Sequence, residues 1–434
     1  MDTPPKLQLK LNTRPLPALL GLVLIMQLIA PYRGWMMLLI GLGGAWLIGY
    51  LWASSLAKNL KLKREMRFGW AHVGDHLEER FTLFNSGPIP ALWVEISDLS
   101  TVPDYSVSRV TGVDGNSQNR WYTHGICNRR GIFTLGPTSI YTGDPLGLYT
   151  VSLHYPESTP LTVTPPIVPL PGIEVAPGGR AGEGRSRPNA FERTVSTTGV
   201  RAYVPGDSVN SIHWPTSARK DSLYVRLFDS TPSGDWWLFL DLDEQAQIGA
   251  GAASTAEHSI ILAASLADRG LQQGRAVGLV THGQTLTWLP PQTGDNQRQE
   301  ILRALAVVTP GRRSLAELLD RIQPGFSQIT SLIIITPAFD GGWVKTLLPL
   351  LRRGAVPTVL LLDPVSFGSR GSARSALALL ADLGITAHLI TRDLLDRPEA
   401  RPGQRGQWKW RVSTTGRAVA VRRPRNLAWR DLGR

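Results

Sequence analysis

Three carboxylates close together in Asp241-Leu242-Asp243-Glu244 have the clearest chemical potential in this chain, because they stand at the end of an apolar run that begins at Trp236. Hard oxygen donors at such spacing suit Mg2+ or Ca2+ better than a soft metal. Asp241 and Asp243 are therefore candidate metal ligands, and a loop that is purely structural or contacts a partner is the competing reading. His72, His76 and His124 are scattered and share no ligand spacing. The single cysteine, Cys127, excludes an intramolecular disulfide and any cysteine cluster for zinc or iron. No motif assembles a nucleophile, a base and an orienting group, so no catalytic residue is assigned and the chain is not expected to be an enzyme.

A second concentration of chemistry is the segment TGVRAYVPGDSVNSIHWPTSARKDSLYVRLF, residues 198–228. Pro205 and Gly206 carry the signature of a type II turn. Asp207 or Ser208 is then placed to cap a short helix through Trp214. Arg201 and Arg219 can pair with Asp207 and lock the segment to the next domain. The alternative is a docking surface of exposed Arg201, Tyr203, Trp214 and Arg219, residue types enriched at binding hot spots.

The elements around these residues are legible from periodicity. Beyond Trp236–Leu242, strands are expected at 275–280, 329–335, 358–362 and 386–390, and helices at 259–271, 297–307, 315–322, 343–352 and 373–383. Strands alternating with helices imply a mainly parallel, doubly wound sheet, which holds ligands beyond the carboxyl ends of its strands. Upstream, short alternating runs such as Leu92–Ile96 are punctuated by Asn85-Ser86-Gly87-Pro88, Asp114-Gly115-Asn116 and Gly143-Asp144-Pro145-Leu146-Gly147, the pattern of a compact antiparallel β-sandwich. The stretch between these domains is rich in Pro and Gly and reads as a linker. Its Gly182-Glu183-Gly184-Arg185 lacks the Gly-Lys-Ser/Thr ending of a phosphate loop.

At the N-terminus, apolar runs at 16–30 and 35–53 flank Pro31-Tyr32-Arg33-Gly34 and read as a two-span membrane hairpin. A cleaved signal peptide is the rival reading of the first run. Trp35, Trp46, Tyr50 and Trp52 are candidate interfacial anchors. Lys6, Lys10 and Arg14 precede the hairpin and Lys58, Lys61, Lys63, Arg64 and Arg67 follow it, which places both ends in the cytoplasm by the positive-inside rule. The bilayer is thus the first expected partner, and the expected location is the cell (inner) membrane, multi-pass, with cytoplasmic soluble domains. The basic run after the second span either touches anionic headgroups or serves only as a topology signal.

The net charge of +12 also admits nucleic acid. The tail from 398 onward interleaves Trp408-Lys409-Trp410-Arg411 with Ala418-Val419-Ala420-Val421 around Thr414-Thr415-Gly416. This is a terminal β-hairpin whose cations and aromatics can bind single strands or simply protect an edge strand. The second reading is preferred, and nucleic acid is not an expected partner.

The 198–228 segment resembles the hallmark of the bacterial family known as domain of unknown function 58, which is approximately Arg-Glu-Tyr-x-Pro-Gly-Asp, Ile-Asp-Trp, Ser-Ala-Arg and a Val-Arg strand. The matching residues are Arg201, Tyr203, Pro205, Gly206, Asp207, Ile212, Trp214, Ser217, Ala218, Arg219, Val225 and Arg226, with departures at Ala202 and His213. Val73-Gly74-Asp75, Asn85-Ser86-Gly87, Arg130–Pro137 and Asp144–Leu148 add to it. The resemblance implies a membrane protein with a von Willebrand A-like domain, often encoded beside a MoxR-type AAA+ ATPase. Such a domain would hold its ion with Asp-x-Ser-x-Ser, a Thr and a later Asp. Here both serines are replaced, and Thr336-Pro337-Ala338-Phe339-Asp340 stands where Thr-Asp-Gly is usual. The site is degenerate.

The expected organisation is therefore 1–67 an N-terminal segment and two-span hairpin, 68–155 a β-sandwich, 156–197 a linker, 198–228 the signature segment, 229–397 a von Willebrand A-like α/β domain and 398–434 a basic tail. The expected function is a membrane-anchored cytoplasmic scaffold or adaptor that recruits a protein partner, such as a MoxR-type ATPase, to assemble or activate other proteins. A membrane-tethered nucleic-acid-binding protein is the second reading and a metal-dependent enzyme the third.

Overall fold

A computed structural model of the chain describes residues 5–66, 69–170, 172–176, 197–203, 213–220, 222–228, 235–322 and 330–394, with short stretches of the tail at 404–405, 409–412, 418–422, 425–426 and 430–431. Two compact units result. The first is Met1–Pro166 with Arg397–Arg411 and Ala420–Arg434, and the second is Ile167–Asp396 with Val412–Val419.

The first unit runs β1 (Lys6–Leu11), α1 (Pro15–Ile29), α2 (Arg33–Asn59), β2 (Leu60–Met66), β3 (Trp70–His72), β4 (His76–Asn85), β5 (Ala91–Asp98), β6 (Arg109–Val113), β7 (Ser117–Ile126), β8 (Gly131–Leu135), β9 (Thr138–Gly143), β10 (Tyr149–Tyr155) and β11 (Thr159–Thr164). One sheet has the order β1-β10-β9-β5-β6 and a second runs β2-β4-β7 with Arg430–Asp431 on its outer edge. A third is β3-β11-β8. Period-two patterning builds them: in β10, Tyr149, Val151 and Leu153 are buried while the residues between are partly exposed.

Two expectations change here. The residues flanking the apolar helices belong to sheets, β1 pairing with β10 and β2 with β4 in the same folded unit. The last turns of α2 enter that unit's core, where Ala53, Leu56 and Ala57 are buried with Leu60. One N-terminal helix, Arg33–Asn59, is long and apolar enough to cross a membrane. With 15 residues, α1 is shorter than the roughly 17–25 a span requires, so the two-span hairpin reduces to one helix of spanning length. Arg64, expected among the juxtamembrane cations, is instead internal. Its Nε and Nη2 donate to both oxygens of buried Glu79 at 2.8 and 2.7 Å, and its Nη1 donates to Asp98 at 2.8 Å. Tyr105 donates to Glu79, and the guanidinium lies over the Phe81 ring. Burial alone would lower the Arg64 pKa, but the hydrogen bond and charge of Glu79, with Asp98, raise it above its ordinary value.

Part of the stretch expected to be a linker is built into the fold. It holds β11, and from 167 onward the chain lies on the second unit: Val168 N–H donates to Ser265 Oγ at 2.9 Å, and Arg269 Nη1 donates to the carbonyls of Leu170 and Ile173, each at 2.8 Å. Burial of Val168, Leu170 and Ile173 gives an apolar reason for the docking.

The second unit contains β12 (Thr197–Ala202), α3 (Trp214–Lys220), β13 (Tyr224–Phe228), β14 (Asp235–Leu240), α4 (Thr255–Gln272), β15 (Val277–His282), β16 (Leu286–Gln292), α5 (Asp295–Val307), α6 (Leu315–Ile322), β17 (Thr330–Thr336), α7 (Leu348–Arg352), β18 (Val356–Leu362), α8 (Arg374–Asp382) and β19 (Thr386–Ile390). Strands β12 and β13 pair with each other, and the rest form one sheet of order β16-β15-β14-β17-β18-β19. Its strands are parallel except at the β15–β16 pairing. The edge strand β16 was not anticipated. Its Pro290-Pro291 pair argues against a central strand and is tolerated at an edge, where a missing N–H breaks no inner ladder. Helix α4 starts where Ser254 accepts from the Glu257 N–H, a capping arrangement set by Ser254 and Glu257 in sequence. In the tail, Lys409–Val412 and Ala418–Arg422 are short strands, while the expected turn at Thr414–Gly416 lies outside the described residues.

Candidate functional site

In the six-stranded sheet the chain moves from β14 outward to β15 and β16, then returns to the other side of β14 as β17. This reversal makes the carboxyl ends of β14 and β17 the switch point, where a doubly wound sheet opens a crevice. A cleft of about 610 Å3 lies there, lined by Asp241, Asp243, Ile248, Leu315, Phe339, Asp340 and Trp343 among others.

Asp241 forms the floor of this cleft. It directly follows β14, is 2% exposed, and its own N–H donates to Ile335 O at 3.0 Å. Oδ2 accepts from Thr336 Oγ1 at 2.6 Å and Oδ1 accepts from the Asp243 N–H at 3.1 Å. Burial pushes the Asp241 carboxyl up to about 6; the Thr336 and Asp243 hydrogen bonds oppose this, and the charges of Asp243 and Asp340 add to it.

The loop after Asp241 is tightly held. Gln247 Nε2 donates to the carbonyls of Asp241 and Asp243 at 3.2 and 3.3 Å, and Thr255 Oγ1 donates to Gln247 Oε1 at 2.8 Å. Gly311 N–H donates to Leu242 O at 2.9 Å and Gly311 O accepts from the Glu244 N–H at 2.7 Å. A Cβ at Gly311 would stand 2.1 Å from Gly283 O, so only glycine allows this approach. On the opposite wall, Trp343 Nε1 donates to Ala338 O at 2.9 Å.

Both oxygens of Asp241 are thus engaged within the protein. Among the described residues no group of three or more His, Cys, Asp or Glu comes together as a metal site. The predicted pair Asp241 and Asp243 is brought to one cleft, where Asp243 Oδ1 accepts from the Gln245 N–H at 3.1 Å. Ser314 and Ser369 line the cleft as well. Among the described residues, no histidine, lysine or cysteine lines it to activate them.

The signature segment is described only in part. Arg201 lies on β12 opposite Val225, and the Tyr203 N–H donates to Leu223 O at 2.8 Å. Pro205, Gly206 and Asp207, with the expected Asp207 or Ser208 cap, lie outside the described residues. Helix α3 begins instead at Trp214, preceded by His213, whose Nδ1 accepts from the Thr216 N–H at 3.3 Å. The imidazole therefore supplies the acceptor that an Asp would offer in this place, a reason for His213 that spacing alone did not reveal. Ser217 Oγ accepts from the Tyr224 N–H at 2.9 Å and ties α3 to β13. Trp214 is 61% exposed and Arg219 is exposed, so two of the docking candidates face solvent. Thr336 was read only as part of a departed motif, and its bond to Asp241 is visible only once β14 and β17 are neighbours.

Residues 199–367 match a family model described as protein of unknown function DUF58. The uncharacterized protein YeaD of Bacillus subtilis is 24% identical over 261 residues, covering 58% of this chain and 63% of the relative. The uncharacterized protein Rv1480 of Mycobacterium tuberculosis is 24% identical over 170 residues, covering 38% of this chain and 54% of the relative. Each match thus spans less than two thirds of the relative's own length. Among solved structures, the CARDB domain of the PF1109 protein from Pyrococcus furiosus aligns with a TM-score of 0.18 and 8% identity over 24% of this chain and 90% of that one, too slight a likeness to bear on fold or ligand. The match over residues 199–367 agrees with the resemblance to the DUF58 family carried by the 198–228 segment.

Proposed function

We propose that this protein is a membrane-anchored adaptor with a von Willebrand A-like domain, whose switch-point cleft receives a protein partner. The observation that carries the reading is the cleft itself. Its walls join apolar Ile248, Leu315, Phe339 and Trp343 to the carboxylates Asp241, Asp243 and Asp340. A concave site of that kind suits recognition by shape and charge better than covalent chemistry. Helix α2 supplies the anchor, and on this reading the soluble part faces the cytoplasm. The contact is proposed to be metal-independent, a reading supported by the internal hydrogen bond that each Asp241 oxygen accepts.

The partner class proposed is a MoxR-type AAA+ ATPase, in line with the resemblance carried by residues 198–228. The test uses full-length protein in detergent and a purified MoxR-type ATPase. Binding should be retained in chelator and lost on Phe339→Glu, which places a charge in the apolar wall. Absence of binding by the parent protein sinks the named partner, and binding that requires added Mg2+ sinks the metal-independent reading.

A further inference from the structure

Helix α2 leaves the folded core at a defined level. Gly49 faces the Asp144–Leu148 loop so closely that a Cβ there would stand 3.3 Å from Asp144 Oδ2 and from Leu148 Cδ1. One residue on, the Tyr50 ring meets Tyr149 edge-on at 5.8 Å. The loop is rigid: buried Asp144 accepts from the Leu146 N–H at 2.9 Å and from the Tyr149 N–H at 2.6 Å. The chain just before α1 is clamped to the same loop, since Asn12 Nδ2 donates to Gly147 O at 3.1 Å and the Asn12 N–H donates to Leu148 O at 2.8 Å. Leu146, at the loop tip, is 59% exposed, and Lys10 and Arg14 beside Asn12 are exposed as well.

Length decides what this geometry means. From Arg33 to Gly49 an α-helix rises only about 24 Å, whereas a bilayer's hydrocarbon core is about 30 Å thick. A bilayer spanned by α2 therefore has no room to end above the loop and must reach down to it. No charged residue occurs between Arg33 and Lys58 to stop it sooner. Resting on the membrane anchoring proposed above, we infer that the Asp144–Leu148 loop is a second membrane contact, with Leu146 inserted into the interface of an anionic bilayer and Lys10 and Arg14 at its headgroups. Asp144 fits such a position because its carboxylate is already satisfied by backbone donors. The anchor and the β-rich unit then meet the membrane as one rigid body, through both a helix and a loop.

The test places single nitroxide labels on the full chain in vesicles of phosphatidylcholine and phosphatidylglycerol. Cys127 does not compete for the label, being buried with its thiol pushed up to about 12 by burial. Labels at Leu146→Cys, at Ile40→Cys on the exposed face of α2 and at Gln118→Cys on β7 are compared for collision with dissolved oxygen and with a water-soluble nickel chelate. Oxygen should dominate at positions 40 and 146, and the chelate at 118. Oxygen dominance at 40 with chelate dominance at 146 overturns this inference alone, whereas chelate dominance at 40 overturns the anchoring on which it rests.

Discussion

The hydroxyl of Thr336 donates a 2.6 Å hydrogen bond to Oδ2 of Asp241, joining the carboxyl ends of neighbouring parallel strands across the point where the sheet reverses its order. One uncharged donor thereby holds the single most buried carboxylate of the cleft, and two predictions rest on that pairing.

The Asp241 carboxyl stands at about 6 in the folded protein, against about 3.9 for an unperturbed Asp. Between those values the folded chain keeps a proton that the unfolded chain has released, so stability falls as pH rises through this window. Above it, stability is lower by about 3 kcal/mol. Asp241→Asn should flatten this slope and raise stability at pH 7. Unfolding of the full chain in detergent and chelator, followed from pH 4 to 7, gives the measurement. A variant whose slope matches the parent's contradicts the assignment.

Thr336→Val keeps the shape but leaves Asp241 Oδ2 without its donor, costing about 1–3 kcal/mol at pH 7. The loss should shrink near pH 4, where the folded-state carboxyl is protonated and the hydrogen bond no longer serves a charge. Thr336→Ser should behave like the parent. Equal losses for Val and Ser would show that the methyl, not the hydroxyl, matters.

In the first unit, Arg64→Met strips the partner from Glu79 and Asp98, both buried, and should cost about 3–5 kcal/mol. Adding Glu79→Gln should recover part of it, because one uncompensated charge is removed. Hydrogen exchange at the β4 amides reads the effect where it occurs. Unchanged protection in Arg64→Met would mean that the network contributes little to stability.

Trp214→Ala removes an exposed side chain and should change stability by no more than about 0.5 kcal/mol. If Trp214 is a docking anchor, affinity for the purified ATPase should drop at least tenfold, on the order of the loss typical of hot-spot residues. Titration calorimetry separates this from a folding defect. Retained affinity would move the contact away from α3.

Sequence alone determined much of this protein. Apolar runs such as Trp236–Leu242 and period-two runs such as β10 fixed strands, because burial on one or both faces leaves a direct imprint on residue order. The Arg201 to Arg226 spacing carried the family for the same reason: it is local, and the match over residues 199–367 agrees with it. Only the tertiary structure decided the rest. Asp241 and Thr336 are 95 positions apart, and Arg64 meets Glu79 and Asp98 across strands, so their partners depend on strand order that no local pattern states. The same holds for α2, whose composition announces an apolar helix but not that Ala53, Leu56 and Ala57 spend their apolar surface on the protein's own core. Apolar surface leaves water equally well into lipid or into protein, and only the packed fold says which.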